Sequence, residues 1–124
     1  MRFDDAFIPL PLLWSSPFIR WQGAAADVSA LDLAVQVTRG ALAAGGYDPA
    51  ETGQLVLGTT IPQPHTFYAP PWLAARLGMT GIGGPAIAQA CATAVACLAH
   101  AAAASQLGDG EPQLVGTTHR PSNG

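Results

Sequence analysis

Between Gly84 and Leu107 a short apolar strand runs without a linker into an alanine-rich helix, and this junction limits the folds open to the chain. The strand reads Pro85 to Ala90 and the helix Cys91 to about Leu107. Small residues cover nearly all of that helix, and a helix apolar on every side is expected to be buried on every side. It then sits between two sheets or layers, and one small sheet cannot supply both. Composition agrees, since the 124 residues are 49% hydrophobic and 10% charged. A soluble domain carries about a quarter charged residues, so much of this surface is expected to be covered by something outside it. By size the chain is one domain, residues 1–124, long enough to bury a core.

The remaining signals alternate helices and strands. Phe7 to Trp21 is apolar but broken by Pro9, Pro11 and Pro17, as an edge strand followed by an irregular loop would be. A helix is predicted from Ser29 to about Ala44, capped by Ser29 with Asp32 as its capping-box partner and closed by Gly45-Gly46. Asp48 to Glu51 reads as a turn, and Gln54 to Thr59 as a buried apolar strand. Ile61 to Pro71 reads as a proline-rich loop, Trp72 to Leu77 as a short helix, and Gln113 to Thr117 as a third strand. Strands separated by helices predict an α/β fold, a mostly parallel sheet with helices packed on it. The glycines at Gly81, Gly83 and Gly84 precede a strand instead of opening a helix, the wrong order for a phosphate cradle, so they read as a turn.

Charge excludes one class of partner. A net charge of −3 with five Lys and Arg residues leaves no basic stripe for nucleic acid. An anionic ligand would need local groups, because the overall field does not attract it. Cys91 and Cys97 lie about 240° apart around one helix, a poor geometry for a disulfide or a metal. Free thiols suit a reducing, cytoplasmic setting. Asp4, Asp5 and the three prolines argue against a signal peptide at the N-terminal apolar run. No apolar run approaches the roughly 20 residues of a membrane span, so no membrane partner is expected.

Cys91 is the residue whose position carries chemistry. First-turn amides lack helical partners and stand at the positive end of the macrodipole, so a thiolate is favoured there and can act as a nucleophile. The same amides can hold an oxyanion, and Ala90, Ala92 and Ala94 leave room for a substrate. Against this stands the plain reading of a cysteine in an alanine-rich helix as a small hydrophobe. Cys97, in mid-helix, lacks the dipole advantage. His100 lies nine positions past Cys91, about 180° round the helix, and cannot reach its thiol. It reads as a core or interface histidine, while His65 and His119 read as solvated polar residues, so no base is assigned.

Four stretches, in order, resemble the opening part of a thiolase. They are D-V-S-A-L-D-L-A at Asp27 to Ala34, Y-D-P-A-E-T-G-Q-L-V-L-G at Tyr47 to Gly58, G-P-A-I-A-Q-A-C-A-T-A at Gly84 to Ala94, and L-V-G-T-T-H-R-P-S-N-G at Leu114 to Gly124. The third resembles the strand and elbow that present the family's acyl-accepting cysteine, and Cys91 falls on that position. The fourth resembles the next strand and its serine-asparagine turn. Together they span about four-fifths of the chain. Two departures stand out: C-A-T-A replaces the family's C-A-S-G or C-G-S-G, and Gln63 to Arg76 carries aromatics and prolines in place of its usual pattern.

The resemblance implies part of the N-terminal half of a layered αβαβα fold with a buried nucleophile helix. It implies an acyl-CoA C-acyltransferase in its complete form, with Cys91 holding the acyl group from a coenzyme A thioester substrate and no permanently bound cofactor or metal. The family's histidine base, second cysteine and oxyanion-hole residues belong to a C-terminal remainder. The chain is therefore expected to be a fragment inactive alone, or to work with a partner chain supplying the missing half. The family assembles as dimers through the strand before the cysteine, here Pro85 to Ala90. Two alternatives share this fold: a ketoacyl-synthase-type condensing enzyme, and a catalytically silent thiolase-fold subunit.

Overall fold

The computed structural model describes residues 2–61, 66–109 and 111–119. Helix α1 spans Ala30–Ala44, strand β1 Gln54–Gly58, helix α2 Ala69–Arg76, strand β2 Ala86–Ile87, helix α3 Thr93–Ala104 and strand β3 Gln113–Thr117. The three strands are parallel, in the order β2-β1-β3. Gln54 to Gly58 pairs in register with Gln113 to Thr117, while Leu57 and Gly58 face Ala86 and Ile87.

The apolar run of β1 reads as it does because both of its faces are covered. Leu55 and Leu57 point into a cluster with Leu31, Val35 and Leu42 of α1 and Leu73 and Ala74 of α2. Val56 points the other way, to Cys97 and Ala101 of α3. Each leucine so buried contributes about 1.5–3 kcal/mol. The layers are therefore helix, sheet and helix, with α1 and α2 on one face and α3 on the other.

Helix α1 begins where Ser29 predicts. Ser29 Oγ accepts from the Asp32 amide at 3.0 Å and donates to the Asp32 carboxylate at 2.8 Å. Gly46, at φ +67°, supplies the left-handed residue that ends it. Helix α2 starts earlier than its sequence suggests, because Pro70 and Pro71 fall in its first turn, where their missing amides cost nothing. Arg76, at its end, lies 3.3 Å from Asp32 and accepts through its carbonyl from Arg39 at 2.6 Å, tying α2 to α1.

Three expectations are corrected. Phe7 to Trp21 forms no strand, only a 3₁₀ turn at Leu10–Leu12. Pro9, Pro11 and Pro17 cannot donate to a ladder, and this stretch leaves Phe7, Leu13 and Phe18 exposed. Helix α3 is not buried on every side within this chain. Thr93, Cys97 and Ala101 are buried against the sheet, while Val95, 70% exposed, and Leu98 face outward, since a single sheet covers one face only. Finally, consecutive helical segments cover 19 residues, Ala90–Gly108, from the 3₁₀ turn before α3 to a kink at Gly108 (φ +98°), with mean hydropathy 1.4, long and apolar enough to cross a membrane by length and composition. Polar His100 and Ser105 interrupt the apolar side chains but not the helix. Within this chain only Thr93, Cys97 and Ala101 of α3 dock on the sheet.

Candidate active site

Cys91 stands four residues beyond the end of β2, exposed, in a 3₁₀ turn at Ala90–Ala92 that leads into α3. The residue before it, Ala90, has φ +47°. An L-residue with a Cβ enters that left-handed region at a cost of roughly 1–2 kcal/mol, so surrounding contacts must hold it there. Thr93 supplies them. Its hydroxyl donates to the Ala90 carbonyl at 2.7 Å and accepts from the Gln89 amide at 2.9 Å. Thr93 itself is buried, with its methyl against Gly58. The turn is thus pinned from inside, and its outer corner presents the Cys91 thiol.

Gly58 is needed for this arrangement. A Cβ there would lie 2.6 Å from the Thr93 methyl and 2.7 Å from Cys97 Sγ, so only glycine lets α3 come this close to β1. Cys97 is fully buried at that contact, and burial pushes its thiol up from the ordinary value. The two cysteines face different directions, as their spacing predicts. One is exposed at the turn and the other is sealed against the sheet.

The turn also lies at a crossing point of the topology. After β1 the chain passes to α2 on one face, and after β2 it passes to α3 on the other. Ligand crevices in parallel sheets form at the carboxyl ends of strands where such connections diverge. Thr59 donates its amide to the Ile87 carbonyl at 3.0 Å and closes the two strand ends together. Beside them, Thr60 and His119 are hydrogen-bonded through Oγ1 and Nδ1, joining the ends of β1 and β3.

Of the histidines, His119 is exposed yet held by Thr60. His100 is exposed on α3, so within this chain it is no core residue. His65 and the Ser122-Asn123 turn lie outside the described residues. The sequence singles out Cys91 as a candidate but gives Thr93 no role beyond its place in C-A-T-A. A hydroxyl two positions after the cysteine was the available signal.

No family model matches the chain, and no curated protein matches it in sequence. Solved structures do match. An acetyl-CoA acetyltransferase from Syntrophomonas wolfei superposes with a TM-score of 0.73 at 25% identity, over 81% of this chain and 26% of that one. The Bacillus anthracis acetyl-CoA acetyltransferase gives 0.67 at 29% identity, over 75% of this chain and 24% of that one. The chain has the thiolase fold. A priming β-ketosynthase of a polyketide biosynthetic pathway is also similar, with a TM-score of 0.63 and 34% identity, over 76% of this chain and 28% of that one. Thiolase and ketosynthase neighbours together make this the fold of thiolase-type condensing enzymes. This thiolase-fold chain spans about a quarter of the length of the structures it matches.

Proposed function

We propose that the chain carries the acyl-accepting element of a thiolase-type acyl-CoA acyltransferase, with Cys91 as the nucleophile. The observation that carries this reading is the left-handed Ala90, pinned by Thr93, which turns an exposed thiol outward at the carboxyl end of a parallel strand. In the step proposed, the Cys91 thiolate attacks the carbonyl carbon of an acyl-CoA. The new bond is Cys91 Sγ to acyl, the bond from that carbon to the coenzyme A sulfur breaks, and the coenzyme A thiolate takes the proton Cys91 lost. A second acceptor then removes the acyl group, a ping-pong sequence.

On this reading the proton acceptor and the remaining oxyanion donors come from a complementary surface, either a partner chain or a further part of the same gene product. The outward face of α3, with Val95 and Leu98, is where a further layer would lie. Among the described residues β2 pairs with β1 alone, so its outer edge is open to the dimer contact that the family resemblance implies. A cytoplasmic location follows from the free thiols as part of the same proposal.

The ketosynthase reading rests on the 34% identity to the priming β-ketosynthase. It shares the acylation of Cys91 and differs in what removes the acyl group, a carrier-bound nucleophile in place of a coenzyme A thioester. Mass spectrometry of the protein incubated with acetyl-CoA tests the common step. An adduct on Cys91, absent in Cys91→Ala, is expected. A folded protein in its complete gene context that acquires none contradicts the enzyme reading and favours a silent subunit.

A further inference from the structure

The Thr60–His119 pair joins residues 59 positions apart in sequence, and it stands at the same carboxyl end of the sheet as Cys91. Its placement is rigid. Thr118, next to His119, donates its amide to the Gly58 carbonyl at 3.0 Å, and its buried hydroxyl donates to the Ala30 carbonyl at 2.8 Å. The backbone entering His119 is therefore fastened to both β1 and the first turn of α1. With Nδ1 engaged by Thr60, the other ring nitrogen remains to meet a ligand, and Thr60 decides by its own role whether that nitrogen donates or accepts. β2 and β3 flank β1 and so lie about 10 Å apart, with Cys91 four residues beyond the end of β2 and His119 two beyond the end of β3.

We propose that His119, oriented by Thr60, is a positioning residue for the thioester ligand. It hydrogen-bonds a carbonyl or amide several bonds removed from the thioester carbon at Cys91. This rests on the thioester reading proposed for Cys91. Such a polar group exists on the coenzyme A arm of every acyl-CoA, and on the acyl side only of substituted acyl groups such as 3-oxoacyl.

The test uses binding instead of turnover, in a Cys91→Ala background that cannot be acylated. Acetyl-CoA and acetoacetyl-CoA are titrated by calorimetry, and the His119 ring signals are followed by NMR. His119→Ala is expected to weaken binding about tenfold, the worth of one well-made hydrogen bond. Thr60→Val weakens it in the same direction, Thr60→Ser retains affinity, and the His119→Ala/Thr60→Val double variant is no worse than His119→Ala alone, because the two act as a unit. An effect with both ligands assigns the contact to the coenzyme A arm, and an effect with acetoacetyl-CoA alone assigns it to the acyl side. Affinities that ignore His119, ring signals that do not move with either ligand, or no binding of either ligand overturn the proposal. Failure of Cys91 to acylate, with His119-dependent binding intact, overturns the nucleophile and leaves this inference standing.

Discussion

The Thr93 hydroxyl donates to the carbonyl of Ala90 at 2.7 Å, and this one bond closes the turn that presents Cys91. Thr93→Val keeps the shape of the side chain and removes both of its hydrogen bonds, leaving the Gln89 amide and the Ala90 carbonyl without this partner. The loss is expected to cost about 1–3 kcal/mol in chemical denaturation. Thr93→Ser should recover most of it. If the two variants are equally stable, the hydroxyl does not hold the elbow.

Ala90 is the strained member of the same turn. Ala90→Gly removes the Cβ that opposes a positive φ and is expected to leave stability unchanged or raise it by up to about 1 kcal/mol. Ala90→Val should lower stability by more than an exposed substitution ordinarily does. Equal melting temperatures for the valine variant and the parent would contradict the left-handed conformation.

Gly58→Ala tests the approach of α3 to the sheet. The added methyl would meet Thr93 at 2.6 Å and Cys97 at 2.7 Å, and overpacking of this kind costs about 1–3 kcal/mol. Because Thr93 is one of the groups displaced, alkylation of Cys91 should change in rate as well. A variant as stable as the parent would mean that helix and sheet are further apart than described.

The two thiols should separate cleanly. Under native conditions iodoacetamide is expected to modify Cys91 and leave Cys97 untouched, and both should react once the chain unfolds. Burial raises the Cys97 pKa in the folded state. The protonated thiol is thus favoured by folding, the stabilisation is fully present below the unfolded thiol's pKa of about 8.5, and it is lost as pH rises towards the folded value. Denaturation midpoints should fall from about pH 8.5 upward, and Cys97→Ala should flatten that fall.

Much of the fold was legible because its signals are local. Ser29 and Asp32 announce the start of α1, the run Gln54 to Gly58 announces a strand covered on both faces, and the passage from Pro85 into Cys91 announces a strand-to-helix elbow. What was not legible depends on distant partners. The Thr93 bonds are short in sequence, but their importance comes from the positive φ of Ala90, which no propensity for alanine foretells. The pairing of Thr60 with His119 joins neighbouring strands across 59 positions of sequence and leaves no periodic trace. The apolar stretch after Phe7 looked like a strand because hydrophobicity alone cannot separate a paired edge from an irregular segment. Helix α3 looked buried all round for a similar reason, since composition records that a face is apolar and not which chain covers it.

The central claim is that Cys91 accepts an acyl group, and intact-mass spectrometry after incubation with acetyl-CoA tests it most directly. The account predicts one acetyl adduct on the protein in its complete gene context, mapped to Cys91 by peptide analysis, absent in Cys91→Ala and retained in Cys97→Ala. An adduct that persists in Cys91→Ala, or none on a folded protein offered short and long acyl chains, would contradict it.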